Sequence, residues 1–169
     1  PWNSTKTAYY IKKFLDPTVE PRGYYTDLTW IDMRYAEVLL NYAEVCIELG
    51  EIQNGINALN EVRNRAGLPD RPVTDQAEAR EFLRHERRIE FFAEAQRWFD
   101  IRRWLTAPDV MHDVYPTKIY EWTNGDMRWE WDKNFLVDKR SNWNDRLYWM
   151  PIPFEETQRA PQIEQNPGY

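Results

Sequence analysis

The segment from residue 32 to residue 49 constrains the fold of this chain more than any other part of the sequence. Apolar and small side chains recur there at helical spacing in two adjacent rows, and polar side chains occupy one narrow row. Gly50 follows, and glycine readily takes the left-handed conformation that ends a helix. The pattern predicts a helix packed on more than one side, whose apolar rows are Tyr35, Leu39, Tyr42, Cys46, Leu49 and Ala36, Leu40, Ala43, Ile47.

A second periodic segment runs from about Gln53 to Ala66 and ends at residues 67–69, Gly-Leu-Pro. The two segments predict helix, tight turn and helix over about 34 residues, the length of a tetratricopeptide repeat. Ala43 and Gly55 stand where the two helices of such a repeat need small side chains. Because one repeat cannot bury both of its faces, it needs stacking neighbours. We therefore predict an all-α fold of tetratricopeptide-like helical hairpins, arranged as an α-α superhelix.

Two more helices are predicted downstream. Asp75 and Glu78 have the spacing of a capping box, so a third helix should begin there. Its apolar row is predicted to be Phe82, Ile89, Phe92 and Ala93. A further helix, or a continuation of the third, carries the aromatic stretch around Trp98 and Trp104 and should break by Pro108.

The two ends of the chain have a different character. Residues 1–31 and 109–169 show little periodicity and are rich in Pro, Gly, Asn and aromatic side chains, which predicts ordered irregular coil wrapped over the helices. The proline-rich last nineteen residues should form an extended closure of the helical body. We predict a single domain over residues 1–169, with a helical core at about 32–106 and an aromatic-rich coil at 107–169.

Composition narrows the function classes. A chain of 169 residues with 42% hydrophobic and 15% aromatic residues is long and apolar enough for one folded domain. The net charge of −6 argues against a nucleic-acid partner, since phosphate binding needs a basic surface. No apolar run approaches eighteen residues, so no transmembrane helix is expected. The chain opens Pro1-Trp2-Asn3, without a signal segment, and we expect it to be part of a longer product.

The charged residues between 86 and 103 are the most obvious candidates for catalysis, because glycosidases use paired carboxylates. Most acids there, however, have an arginine three or seven residues away, which favours a guanidinium–carboxylate network that holds helices together. We predict such a structural network and no catalytic residues. Its members are predicted to be Glu86, Arg88, Glu90, Arg97 and Asp100.

Metal and cofactor sites find little support. The two histidines, His85 and His112, are far apart, and the single cysteine, Cys46, cannot anchor a zinc site and is expected to fill the core. The six glycines never cluster into a phosphate-binding loop. We expect no metal and no cofactor.

The segment from residue 115 to residue 149 combines tryptophans with amide and charged side chains. Sugars present C–H faces and hydroxyl groups, so flat apolar rings beside planar hydrogen-bonding groups are typical of a glycan platform. The alternative is that these tryptophans cover the helical core. If the chain is extended at Trp129 and Trp131, both rings share one face. The predicted ligand contacts are Trp122, Trp129, Trp131 and Arg128.

Several of these segments, taken in order, resemble the RagB/SusD family of outer-membrane nutrient-binding lipoproteins. The resemblance covers nearly the whole chain and lies in residues 34–44, 59–68, 86–91, 96–104, 151–153 and 165–169, with a further similarity at residues 9–14. It implies a non-catalytic cell-surface protein that binds glycans, sits on a SusC-like TonB-dependent transporter and passes oligosaccharides to it. It also implies an outer-membrane location in a Gram-negative bacterium, through a lipid anchor on a preceding part of the protein. The ligand residues named above rest on the sequence pattern and not on this resemblance.

Two other functions fit parts of the sequence. The helical hairpin would suit a tetratricopeptide-type scaffold that binds only protein or peptide. Acids among the tryptophans would suit a helical carbohydrate-active enzyme, less favoured, which would use Glu121, Glu130 or Asp132.

Overall fold

The computed structural model of the protein describes residues 5, 7, 9, 11–16, 29–121 and 124–169, without the side chain of residue 121. The fold of these residues is mostly helical, as predicted. They form two compact units, one within residues 14–97 and the other from residues 1–13 together with 98–169. The expectation of a single domain stays a prediction.

Among the described residues of the unit within residues 14–97, three α-helices lie wholly inside it: α1 (Tyr35–Glu48), α2 (Ile52–Arg65) and α3 (Gln76–Glu90). Both predicted glycine stops are confirmed, because Gly50 and Gly67 adopt φ values of +82° and +78°. After each glycine the next amide reaches back five residues, from Glu51 N to Cys46 O at 2.8 Å and from Leu68 N to Arg63 O at 3.0 Å. This is the Schellman ending of a helix, and it satisfies carbonyls that would otherwise lack partners.

Helices α1 and α2 pack closely at the two predicted small residues. A Cβ atom added to Gly55 would lie 2.8 Å from the carbonyl oxygen of Ala43 and 2.7 Å from Cγ1 of Ile47. No real side chain tolerates such distances, so only glycine fits at this crossing. The predicted close approach of the hairpin at Ala43 and Gly55 is therefore confirmed.

Helix α3 begins where the capping pattern predicts. The carboxylate of Asp75 accepts a hydrogen bond from the amide of Glu78 at 2.8 Å. Its buried face differs from the prediction, since Ile89 and Phe92 are exposed. The residues of α3 that face the core are Ala79, Phe82, Leu83, Glu86 and Arg87.

The core of this unit takes all of one apolar row predicted for α1 and part of the other. Ala36, Leu40, Ala43 and Ile47 are buried, and so is Cys46 of the second row, whereas Tyr35, Tyr42 and Leu49 of that row are exposed. Helices α2 and α3 both pack on α1, so the second row is covered at Cys46 and not at its exposed residues. The core cluster is built from Ala36, Leu40, Ala43, Ile47, Ile56, Ala58, Leu59, Val62, Val73, Ala79, Phe82, Leu83 and Phe91.

The other unit is less irregular than the sequence suggests. After α4 (Gln96–Arg103), whose residues from 98 onward belong to it, come α5 (Ala107–Val110), strand β1 (Thr117–Glu121), strand β2 (Met127–Trp131), a 3₁₀ helix (Asp145–Tyr148) and α6 (Phe154–Arg159). The predicted irregular coil thus contains an antiparallel β-hairpin. Alternating aromatic and β-branched residues on both sides of Asn124-Gly125 are the signal that would have predicted it.

The proline-rich end of the chain folds back on itself. The side-chain amide of Asn166 donates to the carbonyl of Met150 at 2.7 Å, and the hydroxyl of Tyr169 donates to the carbonyl of Trp149 at 3.2 Å. The segment is not extended throughout, because α6 lies between its two halves. Pro153 stands at the N-cap of α6, where a missing backbone N–H costs nothing.

Candidate functional site

One face of the hairpin of β1 and β2 carries four large apolar side chains, beside the positions of Thr117 and Glu121. Its register places Trp129 opposite Ile119 and Trp131 opposite Thr117. Alternate residues of a strand point to the same side, so Met127, Trp129 and Trp131 share that face with Ile119. We call Ile119, Met127, Trp129 and Trp131 the tryptophan face. Trp129 and Trp131 are 64% and 67% exposed, so the rings are available for contact.

The opposite face of the hairpin is charged. It carries Lys118, Tyr120, Arg128 and Glu130, which alternate with the residues of the tryptophan face. The ammonium of Lys118 lies 2.8 Å from the carboxylate of Asp132. This hydrogen bond raises the pKa of Lys118 and lowers the pKa of Asp132. The structure therefore brings Trp129 and Trp131 together, as predicted for an extended chain, but places Arg128 on the other side.

The hairpin is fixed at its base. A two-stranded hairpin alone is marginally stable in water. Here the amide of Thr117 donates to the carbonyl of Thr7 at 3.3 Å, and its hydroxyl donates to the Tyr9 hydroxyl at 3.0 Å. The amide of Asp132 donates to the carbonyl of Pro116 at 3.0 Å. These contacts hold β1 and β2 in place, so the tryptophan face is preorganised.

The tip of the hairpin is an Asn-Gly turn. Gly125 has a φ of +85°, and Asn124 exchanges two hydrogen bonds with Asp126, at 3.2 Å to its amide and 2.7 Å to its carboxylate. Trp122, the remaining predicted ligand contact, lies outside the described residues.

The other described tryptophans between residues 115 and 149 differ in whether they are packed in the interior or exposed to solvent. Trp143 is half-buried and packs against Trp98 and Tyr148, with ring centroids 5.9 Å and 5.0 Å apart. Trp149 is exposed. Trp143 therefore belongs to the packed interior of its unit, whereas Trp129 and Trp131 do not.

Two of the acids predicted for the arginine–acid network, Glu86 and Glu90, form ion pairs within residues 14–97, with partners that come from outside α3. Glu86 is buried and accepts from Arg63 of α2 at 3.1 Å. Glu90 accepts from Arg34 and, at 2.6 Å, from Arg65. Because these partners are distant in sequence, spacing along α3 could not reveal them. The network binds α3 to α2 and to the residue that precedes α1.

Arg34 is the centre of this network. Its guanidinium forms a two-bonded contact with the carboxylate of Glu94, both bonds at 2.8 Å, and also contacts Glu90. These acids raise the pKa of Arg34, the Glu94 hydrogen bonds most. The planar fork of arginine matches a carboxylate in this way, and lysine cannot reproduce it.

Two phenylalanines of the same unit make cation–π contacts with arginines, among them Arg34 and Arg63 of the network. The guanidinium carbons of Arg34 and Arg87 each lie 5.1 Å from the ring centroid of Phe91. Those of Arg63 and Arg71 lie 5.2 Å and 4.6 Å from that of Phe82. Such cation–π contacts let charged side chains remain at the edge of an apolar core.

The other predicted network members take different places. Arg88 is exposed, and its neighbour Arg87 is the buried arginine, donating to the side chain of Asn41 at 2.7 Å. Arg97 is half-buried. Asp100 is buried in α4 and accepts from Arg103 at 2.8 Å.

Comparison with known proteins decides the family. The profile of the SusD family matches residues 1–169. This chain belongs to the SusD family. SusD-like protein P38 of Formosa agariphila is 28% identical over 97% of the chain, and SusD-like protein P2 of the same organism is 31% identical over 87% of it.

A solved SusD-family structure supports the fold. The crystal structure of a SusD-like protein from Bacteroides fragilis superposes with a TM-score of 0.70 at 38% identity, over 83% of this chain and 26% of that one. The chain spans only 28% and 27% of the lengths of the two curated relatives. The predicted family and the tetratricopeptide-like helical fold are thus confirmed.

One pocket of this SusD-family chain is lined by none of the residues predicted to bind ligand. It is a shallow cavity of about 390 Å³ at the turn between α1 and α2, lined by residues 50–54 with Val73 and Thr74. Glu51 on its wall accepts a hydrogen bond from Asn54 at 3.0 Å. Within the described ranges, no group of three or more His, Cys, Asp or Glu side chains could hold a metal ion. The helices described are all too short or too polar to cross a membrane.

Proposed function

We propose that this chain is part of a non-catalytic cell-surface protein that binds glycans and works with a TonB-dependent outer-membrane transporter in oligosaccharide uptake. The observation that carries this proposal is the tryptophan face, on which two exposed indole rings are held side by side by a hairpin anchored at its base. Indole rings stack well on the C–H faces of sugars, and stacking on a preorganised surface loses little entropy. Membership of the SusD family supports the same function.

Membership of the SusD family also supports a location and a partner. We propose that the protein lies on the outer surface of the outer membrane of a Gram-negative bacterium, held by a lipid anchor in another part of the polypeptide. The partner is a SusC-like transporter, which receives the glycan. Purification of the intact protein from native membranes under mild detergent, followed by identification of the proteins that remain bound, tests this pairing. Recovery without any TonB-dependent transporter would contradict it.

The binding function itself is tested by electrophoresis of the intact protein through gels that contain different polysaccharides, with reducing ends measured in parallel. Retardation without release of reducing ends is the expected result. Release of reducing ends would instead favour a carbohydrate-active enzyme. Of the acids named for that enzyme, Asp132 does not suit the role of proton donor, because its hydrogen bond from Lys118 lowers its pKa, whereas a proton donor needs a raised one.

A second function has its own supporting observation. Helix α1 exposes a row of large apolar side chains at alternating spacings of three and four, the pattern of a helix that packs against another helix. A tetratricopeptide-type protein scaffold would use this row. In the gel experiment such a scaffold would show neither retardation nor release. The exposed row is Tyr35, Val38, Tyr42, Val45 and Leu49.

A further inference from the structure

The tryptophan face also indicates the class of glycan. Building on the proposed glycan-binding function, we propose that this face stacks on an uncharged, internal stretch of a polysaccharide chain and not on an anionic polysaccharide. Two features of the hairpin support this choice. Its described cations lie on the face opposite the indole rings, and the row of Met127, Trp129 and Trp131 is open to solvent.

The described cations of the hairpin lie on the wrong side for an anionic ligand. Among the described hairpin side chains, the cations Lys118 and Arg128 alternate with Trp129 and Trp131 and point to the opposite face. A sulfate or carboxylate group over the indole rings would lose water without gaining a cationic partner, which is unfavourable. Uncharged sugar rings carry no such penalty.

The charges around the tryptophan face and the net charge of the chain also disfavour an anionic ligand. Lys118 is already paired with Asp132 at 2.8 Å, and Glu130 accompanies Arg128 on the charged face. The chain as a whole carries a net charge of −6. A negative protein repels a polyanion at distances within the Debye length, about 8 Å at physiological ionic strength. Neutral glycans approach without this barrier.

The shape of the face favours the interior of a chain over its end. Met127, Trp129 and Trp131 follow one another along β2, and are 60%, 64% and 67% exposed. Alternate residues of a strand lie about 6.6 Å apart, so the three side chains form an open row about 13 Å long. An open row contacts the faces of successive sugar rings, whereas recognition of a chain end requires an enclosing pocket.

The test compares binding of the intact protein to uncharged polysaccharides (unsubstituted glucan, mannan and xylan) with binding to polygalacturonate and a sulfated galactan. We expect retention by at least one uncharged polysaccharide, with an affinity that hardly changes between about 0.01 M and 1 M salt, where the Debye length falls from about 30 Å to 3 Å. Oligosaccharides of the bound glycan should bind equally well before and after chemical reduction of their reducing ends.

Three alanine variants test whether the tryptophan face contacts the glycan. Trp129→Ala and Trp131→Ala should each weaken binding about threefold to tenfold, the range expected for loss of one aromatic stacking contact. Tyr120→Ala is the matched control, because it removes an exposed ring from the charged face of the same hairpin. It should leave the affinity unchanged. Circular dichroism and thermal unfolding of all three variants check that the fold is retained, and Trp129→Phe provides a milder version of the first.

Each other outcome overturns a definite part of the proposal. Binding only to the anionic polysaccharides, with strong salt dependence, would refute the neutral ligand but leave glycan binding intact. Neutral binding that survives both tryptophan substitutions would refute the assignment to this face. Loss of binding after reduction of the chain ends would refute the internal mode. Binding to none of the polysaccharides would instead refute the proposed function.

Discussion

The side-chain amide of Gln165 forms hydrogen bonds with both the N–H and the C=O of Ile152. It accepts from the amide of Ile152 at 2.8 Å and donates to its carbonyl at 2.8 Å. Ile152 lies between two prolines, which donate no backbone hydrogen bonds. One side chain therefore replaces a strand partner and ties the last residues of the chain to the Pro-Ile-Pro segment.

The same device occurs in the unit within residues 14–97. Asn60 is buried in α2, and its side-chain amide accepts from the backbone of Arg71 at 3.1 Å and donates to it at 3.3 Å. Arg71 lies in the loop between α2 and α3. In both places an amide side chain fixes irregular backbone, because it offers a donor and an acceptor side by side.

Replacement of Gln165 by alanine should destabilise the protein. Both backbone groups of Ile152 lose their partner, and two hydrogen bonds contribute about 1 to 3 kcal/mol together. Urea unfolding followed by tryptophan fluorescence measures the change. Gln162→Ala, at an exposed position three residues earlier, is the control and should lie within about 0.5 kcal/mol of the parent protein. Equal stability of the two variants would show that the Gln165 contact contributes nothing.

Replacement of Gly55 by alanine should lower the stability although alanine is the better helix former. The added Cβ would lie 2.7 Å from Ile47 and 2.8 Å from the carbonyl of Ala43. Overpacking of this kind costs about 1 to 3 kcal/mol and exceeds the gain in helix propensity of roughly 0.5 to 1 kcal/mol. Asn64→Ala, at an exposed position of α2, isolates the propensity effect and should stabilise slightly. A more stable Gly55→Ala protein would contradict the close packing.

Replacement of Arg34 by alanine should cost about 2 to 3 kcal/mol, because Glu94 and Glu90 each lose a guanidinium contact in a half-buried setting, although Glu90 keeps Arg65. The stability of Arg34→Lys should lie between those of the parent protein and Arg34→Ala, since lysine keeps the positive charge but lacks the planar guanidinium fork. Arg88→Ala, at an exposed position of α3, is the control. Denaturant unfolding measures all three. Glycan affinity should not change, which would separate the structural role of the network from ligand binding.

Asp113 should contribute to stability only above a definite pH. Its carboxylate accepts from the backbone amides of Ser141 and Arg140 at 2.9 Å and 2.8 Å, and these bonds lower its pKa. A lowered folded-state pKa means that the contribution is complete above the unfolded value of about 3.9 and disappears as the pH falls through the folded value.

The corresponding measurement is the free energy of unfolding between about pH 6 and pH 2. The stability advantage of the parent protein over Asp113→Asn should shrink below about pH 4. Asp70→Asn, at an exposed carboxylate without a described partner, is the control. An advantage that stays constant across this range would rule out the contribution of the Asp113 carboxylate.

Local features were predictable from the sequence, and several are confirmed. The stops at Gly50 and Gly67, the cap at Asp75 and the close approach at Gly55 depend on the conformation or size of single residues, so they can be identified in the sequence directly. The hairpin at residues 117–131 was also identifiable, from its alternation and its Asn-Gly turn, and was missed because the whole segment lacks helical periodicity.

The candidate site was predictable only in part. The shared face of Trp129 and Trp131 follows from their spacing once the strand is known. The separation of Arg128 from them, and the pairing of Glu90 with Arg34, depend on which strand face or helix lies nearby. Such relations join residues distant in the chain, and spacing within one segment carries no information about them.

The sequence by itself determined the helical hairpin, its glycine stops and, through its ordered motifs, membership of the SusD family. Only the tertiary structure decided which part of α1 is covered, since both rows are apolar but Tyr35, Tyr42 and Leu49 are exposed while the Ala36 row is buried. The physical reason is that helix formation and helix ends are governed by neighbouring residues, whereas burial depends on which other elements pack against each face.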